Sequence, residues 1–348
     1  MDILQLITDT DRRGAQVFAL DLHESLRALG HRVDTVALRP GAADASLAVE
    51  VLGARRWALD GQLALRRRAG SADVVIAHGS STAAASTVTL GRTRTPVVYR
   101  QISDSAAWAS SFSRRARVRL YLSQMAHVVA LWSGAARVLT EDFGVPADRV
   151  TVVPNGVRAQ RFLEAPRRVR APEERLRLAY LGALTEEKGV EDLVWLAGQR
   201  PDLDIVAAGD GPLLASLRAD APANLELPGV TDDPVAFLAA ADAFVFPSRW
   251  GDSMPAAIIE AGLAGLPAVV TDVGAASELV LDGTTGFVVP PADRAALAAA
   301  VGQVVGSASL RAAMADAARA HAVNYDMAPV AERWERVLRG VLEDRSSR

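Results

Sequence analysis

Short apolar runs rich in β-branched residues alternate with longer Ala- and Leu-rich segments from one end of the chain to the other. That alternation predicts parallel sheets covered by helices, an α/β protein. In the first half, strands are expected at Ile3 to Ile7, Arg32 to Ala37, Val74 to Ala77, Val97 to Tyr99, His127 to Leu131 and Val150 to Val153, with helices such as Gln16 to Leu29 between them. A Pro- and Arg-rich stretch without periodicity, Arg158 to Arg175, reads as a linker. A second series of strands follows at Arg177 to Leu181, Asp204 to Ala208, Leu225 to Leu227, Ala243 to Pro247, Ala268 to Thr271 and Gly286 to Val289. The closing apolar-periodic segment, Pro329 to Leu342, is a helix.

Length supports the division, because 348 residues exceed what one hydrophobic core usually encloses. With 50% hydrophobic and 23% charged residues the chain is globular in composition. Cysteine is absent, which excludes thiol nucleophiles, disulfides and thiolate-bound metals. Met1 opens no signal-like segment, and a cytoplasmic location is expected. The longest apolar stretches, Ala126 to Trp132 and Ala295 to Val305, fall short of the roughly 20 residues that cross a bilayer. Net charge is -3, unevenly spread: residues 1–165 carry 21 Arg against 15 acids, the remainder 17 basic against 26 acidic residues. Of all 38 basic residues only Lys188 is a lysine.

In open α/β sheets ligands lie beyond the carboxyl ends of strands, so the loops there are where chemistry is sought. After the first strand, TDTDRRGA at Thr8 to Ala15 puts Gly14 at a helix start, either as a plain turn or as a place where backbone approaches a phosphate or sugar. In LGALTEEKGVEDL, Leu181 to Leu193, the strand ends at Gly182 and Lys188 precedes a helix, so a cation and free amides converge as they would around a diphosphate. AAGDGPL, Ala207 to Leu213, is a glycine-rich turn with structural and ligand-binding readings both open. The fourth loop leads from the strand at Pro247 through Asp252 into a helix expected to start near Met254, with Glu260 two turns in. A carboxylate on an apolar helix face needs a hydrogen-bonding partner, and a ribose diol suits Glu260. Asp252 and the amides of Ser253 and Met254 would face sugar and phosphate, while an N-cap role for Asp252 is compatible.

These pieces, together with GHRV at Gly30 to Val33, VVPNGV at Val152 to Val157, PGVTDDPVAFLAAADAFVFPS at Pro228 to Ser248 and TGFVVPPAD at Thr285 to Asp293, follow one another in the order and spacing of a known family. The chain resembles the retaining family 4 glycosyltransferases over nearly its whole length. The resemblance implies a GT-B fold: two Rossmann-like domains facing across a cleft, residues 1–165 for the acceptor and 172–328 for the nucleotide sugar, with a final helix, 329–348, returning to the first. It assigns diphosphate to Lys188, ribose to Glu260 and the base to backbone near Val230; the sequence itself displays no metal-ligand cluster, and the lysine and amides make a metal dispensable. The co-substrate would be a UDP- or GDP-linked sugar, and the acceptor a glycan, lipid-linked or small-molecule hydroxyl.

The chain departs from the family in three places. Ala183 stands where the family usually has Arg, removing a charge-assisted contact of roughly 1.5–3 kcal/mol; Arg249 and Arg13 are the candidates to replace it. Asp252 is one methylene shorter than the family's Glu. The usual acceptor-side histidine is missing, which leaves Arg100 and Asp104 in YRQISDSAAW, with His78 in AHGSST open to an acceptor-side or a structural role. A nucleotide-sugar-binding protein without transferase activity and another GT-B enzyme, such as a disaccharide synthase, are the rival readings. Trp108, Phe112, Arg114, Arg115, Arg117, Arg119 and Tyr121 suggest either a basic, aromatic face for peripheral contact with anionic lipid or a solvated arginine-rich helix. No module for reading nucleic acid is present.

Overall fold

The computed structural model describes residues 1–42, 47–91, 93–102, 111–166 and 174–346. The chain forms two compact units, Met1–Val157 with Met327–Arg348, and Arg158–Asp326. The first contains β1 (Asp2–Ile7), α1 (Gly14–Ala28), β2 (Arg32–Ala37), β3 (Glu50–Val51), α2 (Leu59–Gly70), β4 (Val74–His78), α3 (Ser80–Leu90), β5 (Val97–Arg100), α4 (Phe112–Gln124), β6 (His127–Ala130), α5 (Ser133–Arg137) and β7 (Val150–Val152). Its sheet runs β3-β2-β1-β4-β5-β6-β7, with every described pairing parallel.

Period-two alternation along these strands splits the core in two. Leu4, Val75, Tyr99 and Val128 face α2, α3 and α4 through Leu65, Ala83, Val118 and Leu122. Ile3, Val74, Ile76, Val98 and Val129 face the opposite side, where α1 supplies Phe18, Leu22 and Leu26. The same side is completed by the chain's last helix, Met327–Ser346, whose Val330, Trp334 and Leu338 are fully buried there. The family's returning helix is therefore present, and it is longer at its start than the apolar period indicated. Glu335 on it meets His31 at 3.1 Å.

A polar chain threads the interior of this unit. Gln5, fully buried on β1, donates to the Ala19 carbonyl at 3.0 Å and turns its carbonyl oxygen to His78 Nε2 at 2.8 Å. That contact makes Nε2 the protonated nitrogen of a neutral imidazole and leaves Nδ1 as acceptor toward Arg100, 3.4 Å away. Burial, then the charge of Arg100, lowers the His78 pKa well below 6.5. Arg100 donates to Asn155, lies 3.8 Å above the Phe18 ring, and has its own pKa lowered to about 9 by burial. This cation is held by neutral groups, with no carboxylate among its described partners.

The second unit contains α6 (Gln160–Glu164), β8 (Arg177–Leu181), α7 (Glu191–Gln199), β9 (Asp204–Ala208), α8 (Leu214–Asp220), β10 (Leu225–Gly229), α9 (Pro234–Ala239), β11 (Ala243–Phe246), α10 (Ala256–Leu263), β12 (Ala268–Thr271), α11 (Ala276–Leu279), β13 (Gly286–Val289), α12 (Arg294–Gly306) and α13 (Ala308–Ala322). Its all-parallel sheet runs β10-β9-β8-β11-β12-β13. In both sheets the order reverses beside the first strand, at β1/β4 and at β8/β11, which is the doubly wound arrangement.

Two expectations change, and one strand is added to those expected. The stretch read as linker contains α6, whose Phe162 is buried and whose preceding Ala159 N–H donates to Asp326 at 3.1 Å. The exposed two-residue edge strand β3 carries no alternation from which to be read. Tyr121, expected on an exposed aromatic face, is buried against Tyr99, since its helical spacing from Val118 places it on the core side.

Two outcomes test this packing. Trp334→Ala should lower the unfolding free energy by about 3–5 kcal/mol, and Trp334→Phe by far less, in urea denaturation. The depressed His78 pKa means that the unfolded chain binds the extra proton as pH falls below 6.5. Its contribution to stability is present above that pH and lost below it, by up to about 1.4 kcal/mol per pH unit. The native protein should thus lose more stability than His78→Gln between about pH 7.5 and about pH 5.5, and equal losses would refute the assignment.

Candidate active site

Lys188 and Asp252 come from loops on adjacent strands. Beyond β8 the chain passes through Gly182 and Ala183 to a tight turn, Glu186–Lys188, closed by Gly189 in the left-handed conformation (φ +62°). A Cβ on Gly189 would lie 2.1 Å from the Pro247 carbonyl oxygen, so glycine is required for the turn to seat against the loop leaving β11. The Glu187 carbonyl then gathers that loop, accepting from Arg249 N–H at 2.7 Å and lying 3.1 Å from the Ser248 hydroxyl.

The result is a compact charged cluster. Lys188 Nζ donates to one Asp252 carboxylate oxygen, and Ser248 Oγ donates to the other. Their side chains are 19% and 10% exposed, shielded enough for charge to act strongly yet open to a ligand. The ammonium also lies 5.6 Å from the centre of the Phe246 ring. Beneath it, Tyr180 stacks on Phe246 and donates to the Ala183 carbonyl at 2.7 Å. Burial, and then the charges of Asp252 and Glu187, raise the Tyr180 pKa, so the phenol stays neutral. An ammonium has three N–H donors. With one on Asp252, the others are able to serve an anion.

The helix beyond Asp252 starts later than expected. Its N-cap is Pro255, without a side-chain cap, and α10 begins at Ala256. Asp252 therefore does not cap it: three residues separate them, and its carboxylate is directed to Lys188 and Ser248. Ser253 and Met254 are buried, and the Ser253 carbonyl accepts from Ala275 N–H at 2.8 Å in the loop after β12. Glu260 is half-buried in the second turn of α10, between the buried Ile259 and Ala261.

On the other side of the cluster, Gly209 (φ +151°) packs so tightly that its Cβ would lie 1.8 Å from the Gly182 carbonyl oxygen. The glycine-rich AAGDGPL turn is thus required by backbone packing between the β8 and β9 loops. Val230, just past β10, is 70% exposed. Arg249 turns its guanidinium to Asp192 at 3.1 Å, where Arg294 also binds at 2.7 Å.

The remaining candidates lie in the first unit. Arg13 and Arg39 both bind the fully buried Asp9, each at 2.8 Å, and Gln16 joins them at 2.9 Å. Gly14 is exposed at the first position of α1, where an added Cβ meets nothing, so packing does not demand glycine. His78 and Arg100, brought together at the ends of β4 and β5, are occluded by the interior network. Asp104 and Trp108 lie outside the described residues. Among the described residues no group of three or more His, Asp or Glu side chains is placed to hold a metal ion.

Sequence reasoning missed Ser248, Thr271 and Asp192. Ser248 follows a strand end in FVFPS, the signal that made Asp252 a candidate. Thr271 donates to the Ser248 carbonyl from β12, a contact with no sequence signature. Asp192 reads as an ordinary acid in the first turn of a helix, and only the fold brings two arginines to it.

Comparison with known proteins accords with the two doubly wound sheets. The model of the family described as glycosyl transferases group 1 matches residues 162–321, and that of glycosyltransferase family 4 matches residues 12–161. A glycogen synthase of Mycobacterium tuberculosis is 34% identical over 193 residues, 52% of this chain but only 46% of the synthase, so this chain matches about half of that relative's length. The phosphatidyl-myo-inositol mannosyltransferase of Mycobacterium leprae is 27% identical over 94% of this chain and 93% of its own. Among solved structures, Anabaena HepE in complex with UDP superposes with a TM-score of 0.83 at 19% identity, over 98% of this chain and 100% of that one. Sucrose-phosphate synthase from Thermosynechococcus elongatus gives 0.82 at 16% identity, over 99% and 100%. With two family models that together run from residue 12 to residue 321, and with both parallel sheets in place, the chain belongs to the family 4 type of GT-B glycosyltransferases.

Proposed function

We propose that this protein transfers a hexose from a nucleoside-diphosphate sugar to an acceptor hydroxyl, with retention of anomeric configuration and without a metal ion. The observation that carries the reading is the Lys188–Asp252–Ser248 cluster at the β8/β11 switch point of the second unit, where a doubly wound sheet takes its ligand. In this reading Lys188 holds the diphosphate, together with the uncapped first-turn amides of α10. Glu260 accepts the ribose hydroxyls, backbone at Val230 and Gly182 lies along the base and phosphates, and Asp252 with the Ser253 and Met254 amides faces the sugar.

Transfer then breaks the bond between the anomeric carbon and the phosphate oxygen while the acceptor oxygen bonds to the same face of that carbon. The acceptor proton passes to the departing phosphate oxygen. Charge grows on the diphosphate during this step, and the Lys188 ammonium, already oriented by Asp252, stabilises it without reorganising. A monovalent cation and backbone amides suffice for that task, so a divalent ion is dispensable. The first unit takes the acceptor through Arg13 at the surface, with His78 and Arg100 as positioning residues beneath it and Asp104 nearby in sequence; the Gly14 helix start offers its backbone to a phosphate or sugar. UDP is the first nucleotide to test, because HepE binds it; the acceptor class, whether glycan, lipid-linked or small molecule, is to be found by screening.

Calorimetric titration with UDP, GDP and ADP tests the donor site. One nucleotide should bind selectively, Lys188→Ala should weaken it about 10- to 150-fold, and Glu260→Ala should weaken it while leaving inorganic pyrophosphate binding unchanged. Binding indifferent to both substitutions would remove the assignment. Asp252→Asn makes a sharper prediction, since it deletes a negative charge beside the diphosphate yet disturbs the geometry of transfer. Nucleotide affinity should hold or rise while turnover falls about 100-fold or more. Turnover should also survive EDTA treatment.

A further inference from the structure

We propose that a polar cavity at the amino-terminal edge of the first unit's sheet is a binding site for a neutral oligosaccharide, separate from the site of transfer. The cavity has a volume of about 390 Å³, within the roughly 300–1,000 Å³ typical of small-molecule sites. It lies where α3 and α4 end and β5 and β6 begin, with Val341, Asp344 and Arg345 of the chain's last helix along one wall. His78 and Arg100 stand at the carboxyl ends of β4 and β5, so the length of the strands separates them from it. A second hollow of about 370 Å³ shares His127, Asp148, Val341 and Asp344 with the first. Two adjoining hollows suit a ligand built of repeated units.

Ser86 is the residue that points to a ligand. It is 1% exposed on α3, it lines the cavity, and its hydroxyl has no hydrogen-bond partner among the described residues. A buried hydroxyl without a partner is costly, and native interiors rarely keep one. The threonines of the same helix behave otherwise. Thr82 and Thr87 return their hydroxyls to the Gly79 and Ala83 carbonyls, one turn back, at 2.8 and 2.9 Å. Thr95, which also lines the cavity, donates to the Ala69 carbonyl at 2.8 Å and so keeps its lone pairs as acceptors for a ligand hydroxyl. Ser86 alone has both its donor and its acceptors to give.

Charge selects a neutral ligand. Arg149 and Arg345 are matched by Asp148 and Asp344 on the same lining. His127, whose pKa is lowered by burial and then by Arg149, adds no charge at neutral pH. Arg149 is already engaged with main chain, donating to the Met125 and Ala126 carbonyls. An anion would meet both aspartates, whereas the hydroxyls of a sugar donate and accept in turn. Leu90, Pro96 and Val97 supply apolar surface for the C–H face of a pyranose ring. The cavity is built from the first unit alone, so the proposal depends neither on the donor site nor on the transfer reaction.

Calorimetric titration of the full chain without nucleotide, using glucose, maltotriose, mannobiose and glucose 6-phosphate, tests the site. A neutral oligosaccharide should bind more tightly than glucose, and glucose more tightly than its phosphate. Ser86→Ala should weaken oligosaccharide binding about 3- to 10-fold while its melting midpoint equals or exceeds native, since it removes an unpaired buried hydroxyl. Gln124→Trp, at an exposed position of the lining, should block binding at an unchanged melting midpoint. Lys188→Ala and Arg13→Ala should bind as the native protein does. Absence of binding by all three neutral sugars overturns the proposal. So does a preference for glucose 6-phosphate, which would mean an anion site. A lower melting midpoint in Ser86→Ala with unchanged affinity would make the hydroxyl structural and overturn it too. Binding lost in Arg13→Ala but kept in Ser86→Ala and Gln124→Trp would put the sugar in the acceptor site, with the same consequence.

Discussion

Adjacency of β8 and β11 governs the candidate site. The two strands are separated in sequence by β9, β10 and three helices, and they become neighbours because the sheet grows outward from β8 in one direction and then resumes on its other side. Their following loops leave the same edge of the sheet, which brings the lone lysine of the chain to Asp252. The backbone does most of the fitting. Gly189 lets one turn reach the other's carbonyl, and Glu187 offers its own carbonyl to the amide of Arg249. Side-chain chemistry is then superimposed on a frame that main-chain hydrogen bonds already hold.

Charge is organised differently in the two units. In the second, Lys188 and Asp252 neutralise each other at the surface of a partly screened site, and Asp192 is flanked by Arg249 and Arg294. In the first unit the carboxylate of Asp9 is the buried member, gripped by two partly exposed arginines, whereas Arg100 is buried among neutral ligands. Such an interior cation is costly to retain. Its partners, Asn155 and the imidazole of His78, bring the ends of β4 and β5 together with the loop after β7.

The arginine bias of residues 1–165 has a structural counterpart in these arrangements. Some arginines are absorbed by buried carboxylates and carbonyls; others crowd the helices over one face of the first sheet. A helix that buries Val118, Tyr121 and Leu122 toward the sheet leaves Phe112 and Leu120 on the outside with arginine between them. The same helical period therefore decides both the core and the character of the opposite surface.

The α/β class and both series of strands were legible without coordinates, and so was the singularity of Lys188. Buried parallel strands read as apolar runs, and a residue type used once draws notice on composition alone. The role of Asp252 was only half legible: its place after a strand end marked it, but whether it caps α10 or holds Lys188 depends on a helix start displaced to Ala256 by Pro255. Ser248, Thr271, Asp192 and the Gln5–His78–Arg100 chain were not legible, since each acts through partners distant in sequence that parallel crossovers bring together. Local periodicity follows from the geometry of a single helix or strand, and the chain writes it out residue by residue. Contacts between strand ends follow from sheet order, which no local pattern encodes, and so the tertiary structure alone decided which side chains meet.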